Sequence, residues 1–137
     1  MSEKDIEDVE LAEGICIQTM DAGHILIVQC TTIQRDSIDK LITWLKDRFL
    51  GWDAELPWLA LYDLSLPGAM LTPYMRTQTA EVNALREDVR GRVAMVMRRD
   101  TTANLLSMFA QLRENSQRPL RVWFNRVDAL AWLREDL

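Results

Sequence analysis

The sequence predicts an α/β fold built on a single mixed, mostly parallel sheet, and three observations carry that expectation. Five short apolar segments have strand length: "ICIQTM" (15–20), "HILIVQC" (24–30), "WLALYDL" (58–64), "RVAMVM" (92–97) and "PLRVWFN" (119–125). Apolar residues recur at helical spacing between the later ones. Turn and cap residues stand where the period changes, at Asp21-Ala22-Gly23, Gly51, Thr72-Pro73 and Asn125. The expected order is β-β-α-β-α-β-α-β-α. It forms one domain over 14–137, preceded by an acidic segment, 1–13, expected to be mobile.

Taken in order, the first two strands flank a turn signal and read as an antiparallel hairpin. In "RDSIDKLITWLKDRFL" (35–50), Ile38, Leu41, Ile42, Leu45 and Phe49 share one helical face, and Gly51 follows as a stop. "WLALYDL" is continuously apolar and too short for a typical helix, which fits a strand buried on both faces. Thr72-Pro73 starts a helix expected to reach about Val89, because Thr caps free amides and Pro at the first helical position loses no bond. Asp100-Thr101 offers a cap for a further helix with Leu105, Leu106, Phe109 and Leu112 on its apolar face. Asn125 caps a last helix, with Asp128 favouring its dipole and Val127, Leu130, Ala131 and Leu133 expected to face the core. Strands separated by helices run parallel.

Composition bounds the function. At 137 residues, 48% hydrophobic and 27% charged, the chain is one ordinary globular domain able to bury a real core. A net charge of -5 makes it a poor general binder of nucleic acid, which requires a basic footprint. Its apolar stretches are too short to span a bilayer. The opening "MSEKDIEDVE" is acidic, unlike a secretory signal, so a cytoplasmic setting is expected. The two cysteines, Cys16 and Cys30, fall on the two strands of the hairpin; a bridge is conceivable geometrically, but a cytosolic setting favours free, buried thiols.

The hairpin start, the buried strand ending "YDLS" and the close "VWFNRVDALAWL" resemble the STAS domain (sulfate transporter and anti-sigma-factor antagonist), and more closely its SpoIIAA-like relatives. The resemblance covers roughly residues 14 to 135. It implies a non-enzymatic regulatory or protein-interaction module in the bacterial cytoplasm, with a protein partner or a homodimer. In anti-sigma antagonists the junction after this strand carries a phosphorylatable Ser in an Asp-Ser-Ser-Gly-like motif. Here Asp63 and Ser65 are followed by Leu66-Pro67-Gly68, so that motif is absent, and the hydroxyls left as phosphorylation candidates are Ser65 and Thr72. The fold also resembles CRAL-TRIO lipid-binding proteins, which implies a second expectation, a carrier of lipid or of a small anion.

In an open parallel sheet, ligands lie beyond the carboxyl ends of the strands. Arg35, Asp63, Ser65, Arg98, Arg99, Asp100, Asn125 and Arg126 should gather on that edge, with the helix starts at Thr72 and Thr101 directing free amides toward it. The candidate anion-binding set is therefore Arg35, Ser65, Thr72, Arg98, Arg99, Thr101 and Arg126. The bland alternative is that these are water-facing loops and caps, and Asp63 and Asp100 could neutralise the arginines. The loop Leu66 to Leu71 is apolar for a surface connection. Met70 and Leu71 either staple the helix start or, with Tyr74, form an interaction surface. Enzyme signals are sparse. His24 is the one histidine, no phosphate-binding glycine pattern appears, and Asp63 with Asp100 lacks a substrate-orienting motif. No cofactor and no metal are expected.

Overall fold

Six strands lie side by side in sequence order in one sheet. The structure is a computed structural model that describes residues 9–99 and 117–135. Its strands are β1 (Val9–Ala12), β2 (Ile15–Met20), β3 (Ile25–Cys30), β4 (Trp58–Asp63), β5 (Gly91–Val96) and β6 (Leu120–Trp123). The helices among the described residues are α1 (Arg35–Leu50), α2 (Pro73–Asn83) and α3 (Arg126–Leu133). β1, β2 and β3 pair antiparallel, whereas β3 through β6 run parallel. The fold is thus the expected α/β class with one mixed sheet.

Strand alternation divides the core into two layers. Leu26, Val28 and Cys30 of β3, Trp58 and Ala60 of β4, Met95 of β5 and Leu120 of β6 face one way, against Ile38, Leu41, Leu45 and Phe49 of α1 and Met75 and Val82 of α2. Ile25, Ile27, Leu61, Ala94 and Val96 face the other way, against Ala129, Trp132 and Leu133 of α3. Burial on both faces explains why the β4 run is continuously apolar. The hairpin turn holds Asp21, Ala22 and Gly23 all at positive φ.

Several elements differ from the sequence expectation. Residues 9–12 of the acidic segment form the edge strand β1, and Ser37 of α1 donates 2.8 Å to the Glu13 carbonyl, tying that edge to the helix. β2 and β3 place Ile15 opposite Cys30, so alternation sets Cys16 on the far side of the sheet from Cys30; both thiols are free and no bridge can join them. The helix 105–112 and its cap at Asp100-Thr101 lie outside the described residues. α3 presents Ala129, Trp132 and Leu133 inward, while Val127 and Ala131 are exposed. The helix is rotated because Trp132 packs at 5.9 Å on Trp123 and fills more space than Val127 could.

α2 stops at Asn83, short of Val89, for an electrostatic reason. The Arg86 guanidinium turns back to donate to the carbonyls of Phe49 (3.2 Å), Leu50 (3.1 Å) and Trp52 (2.8 Å), the open end of α1. Asp88 holds that guanidinium through two bonds of 2.8 and 2.7 Å. Buried Arg118 donates to Asn83 and Val89, closing the loop from the other side. A helix continued to Val89 would withdraw Arg86 from α1. Gly51 caps α1 without entering the left-handed region, at φ -89°.

Gly91 opens β5 at a backbone crossing. A Cβ there would come 1.9 Å from the Trp58 carbonyl oxygen. Gly91→Ala is expected to lower stability by about 3 kcal/mol, since strand β4 must move to admit one methyl. Urea unfolding should show a lower midpoint with an unchanged slope.

Candidate functional site at the strand ends

The parallel register aligns the strand tips. Gln29 lies opposite Asp63, Asp63 opposite Val96, and Val96 opposite Trp123. The loops that carry Arg98, Arg99, Asn125 and Arg126 therefore leave the sheet from the same end as the Asp63-Ser65 turn.

Asp63 is the polar centre of that end. Alternation along β4 points its carboxylate to the α3 layer, where it is buried. Arg126, the first residue of α3, donates Nε to Asp63 Oδ2 at 2.7 Å and a terminal nitrogen to Gln29 Oε1 at 2.9 Å. The Ser65 hydroxyl and amide both donate to Asp63 Oδ1, at 2.6 and 3.0 Å. Burial pushes the Asp63 carboxyl up, but the Ser65 bonds and then the Arg126 bond and charge outweigh it and hold the group below its ordinary value. Asn125 starts α3 by accepting from the Asp128 amide at 2.8 Å.

The β4–α2 loop is pinned by Gly68 at φ +90°, where a Cβ would meet the Thr31 carbonyl oxygen at 2.4 Å. Only glycine lets this loop rest on the β3–α1 connection. Met70 and Leu71 take opposite fates: Leu71 is buried under α2, and Met70 is 59% exposed. The Thr72 hydroxyl accepts from the Met75 amide at 3.2 Å, so Thr72 caps α2. Tyr74 donates to Asp39 of α1, and Arg35 lies over its ring at 4.3 Å.

The structure thus joins Ser65 and Arg126 through Asp63, and pairs Arg35 with Tyr74. Arg98 and Arg99 are exposed, with Arg99 over the Phe124 ring at 4.1 Å. Thr101 and Asp100 lie outside the described residues. Two participants escaped sequence reasoning. Gln29 was legible as the one polar side chain sharing a β3 face with Ile25 and Ile27. Phe124 had no signal beyond its aromatic character.

Chemically, both Asp63 oxygens accept hydrogen bonds, and the charge of Arg126 is met internally. Among the described residues no group of three His, Cys, Asp or Glu side chains could hold a metal, and no helix is long and apolar enough to cross a membrane. No protein-family model, curated protein or solved structure matches the chain.

Arg126→Ala is expected to cost about 2 kcal/mol, between the small value of an exposed pair and the larger loss when a buried carboxylate is stranded, because Arg126 is itself one-third exposed. Thr72→Ala should cost about 1 kcal/mol as a lost cap. Denaturant unfolding of the single and double variants checks both values, and the two should add because they share no partner.

Proposed function

We propose that the protein is a non-enzymatic interaction module, of the kind its STAS/SpoIIAA-like resemblance implies, and that it docks a protein partner on the face at the carboxyl ends of β3 to β6. The setting is taken as cytoplasmic, as the resemblance implies.

The observation that carries this reading is where the exposed apolar residues lie. Eight large apolar side chains are exposed among the described residues; five of them, Ile33, Leu66, Met70, Phe124 and Val127, belong to the connections or first helical turn at that one end. Exposed apolar residues scattered singly need no explanation, but a grouping at one end does. Val127 is 77% exposed in the first turn of α3, where a polar residue would serve the helix equally well. Arginine and aromatic side chains, here Arg99 on Phe124, are the types enriched where proteins meet. Beneath them the Asp63–Arg126–Gln29 bonds hold the loops in place, which lowers the ordering cost of docking.

Quantitative pull-down with three forms of the chain tests this. A Met70→Glu/Val127→Glu variant should lose at least about tenfold in retention of whatever the wild type retains. A Leu50→Glu/Leu85→Glu variant, altered at the opposite end, should retain it. The reverse pattern, or retention by both variants, would overturn the docking face. Loss through dissociation of a second copy of this chain, seen by light scattering, would replace the heterologous partner with a homodimer.

A further inference from the structure

The two edges of the sheet differ. At one edge the ladder of β1 to β2 slips between Glu10 and Ala12, and exposed Glu10 adds a charge. A bulge and a charge both turn an edge away from pairing with another chain. At the other side β6 ends the sheet, and its ladder to β5 runs without a register shift. The stretch from Gln117 to Phe124 contains no Asp or Glu, and its one proline, Pro119, precedes the strand.

Backbone alternation decides which groups of β6 face outward. The Pro119 and Trp123 carbonyls accept from the Val93 amide at 3.0 Å and the Met97 amide at 2.9 Å, so the odd-numbered residues turn to β5. Leu120 and Val122 therefore direct N–H and C=O away from β5, and Phe124 is next in that alternation. Pro119 removes no donor from the outer edge. The side chains alternate as well. Leu120 and Val122 join the α1 and α2 layer, and Trp123 joins the α3 layer. Exposed Arg121 lies on that second side, over the Trp132 ring at 5.1 Å.

We propose that β6 is a homodimer edge, pairing antiparallel with β6 of a second copy about a two-fold axis at Val122 and joining two six-stranded sheets into one. The segment is complementary to itself in that register. Val122 exchanges two backbone hydrogen bonds with its copy. Leu120 meets Phe124, which is 36% exposed in the single chain. Arg121 meets Trp123, a cation against an aromatic face. A register centred on Arg121 would instead set two guanidiniums directly opposite, which is unfavourable. The axis passes through a segment free of carboxylates, so the acidic excess of each copy lies elsewhere. The edge is short, which makes the dimer a weak one, with a Kd on the order of 10 μM. Apart from Phe124, it shares no residue with the docking face.

Sedimentation velocity of the full chain from about 1 to 500 μM tests the edge. The wild type should pass from monomer to dimer across that range. Hydrogen exchange should slow at the Leu120 and Val122 amides as the dimer forms and stay constant at the β1 amides. Val122→Pro should remain monomeric with wild-type circular dichroism, since the N–H it removes is not bonded to β5. Met70→Glu/Val127→Glu should dimerise like the wild type, which separates this contact from the docking face. A monomer at every concentration would overturn the proposal, as would a dimer whose Leu120 and Val122 amides exchange at the monomer rate. A dimer lost in Met70→Glu/Val127→Glu and kept in Val122→Pro would move the contact to the strand ends and overturn the edge.

Discussion

A buried carboxylate at the tip of a central strand is the constraint on which the strand-end face depends. Asp63 could not remain ionised in the α3 layer without compensation, because desolvation alone would drive it to the neutral form. The chain supplies two compensations from different distances. Ser65 is two residues away and closes a tight turn on the carboxylate, which fixes how the chain leaves β4. Arg126 is sixty-three residues away and can reach Asp63 only if α3 begins at the end of the sheet and returns along its face. The same guanidinium also binds Gln29 and so ties together β3, β4 and α3.

The alternation of β4 separates two surfaces with different chemistry. Tyr62 packs against the core layer beneath α1 and α2, whereas its neighbour Asp63 faces α3. One side of the sheet therefore carries an apolar core layer under α1 and α2. The other carries a fully bonded polar cluster under exposed apolar side chains. The second arrangement suits contact rather than proton transfer, since a carboxylate whose two oxygens already accept hydrogen bonds has little left to offer a substrate.

Local patterns made much of this fold readable. The boundaries of α1 follow from the spacing of Ile38, Leu41, Ile42, Leu45 and Phe49 and from Gly51, all within one helix. The hairpin follows from its turn residues. What could not be read locally was decided by residues distant in the chain. α2 ends at Asn83 because Arg86 and Arg118 are needed elsewhere, and neither partner set can be inferred from helical spacing. α3 turns Trp132 inward because Trp123 of β6 awaits it, although spacing alone allowed Val127 and Ala131. At the site, Asp63, Ser65 and Arg126 were visible as polar residues at strand ends. Their mutual bonding was not, so the arginine that sequence reasoning offered to an outside anion is engaged with Asp63 and Gln29 instead.

The most direct measurement is the titration of the Asp63 carboxyl by carbon-detected nuclear magnetic resonance. A carboxyl held low in the folded state contributes stability above its unfolded-state value, and that contribution is lost as pH falls through the folded value. The account predicts a midpoint below the ordinary 3.8, with the carboxylate charged throughout the neutral range. A midpoint at or above 3.8 would show that the bonds from Ser65 and Arg126 do not outweigh burial. Asp63 would then be an acid open to other chemistry, contradicting the closed cluster on which the strand-end face rests.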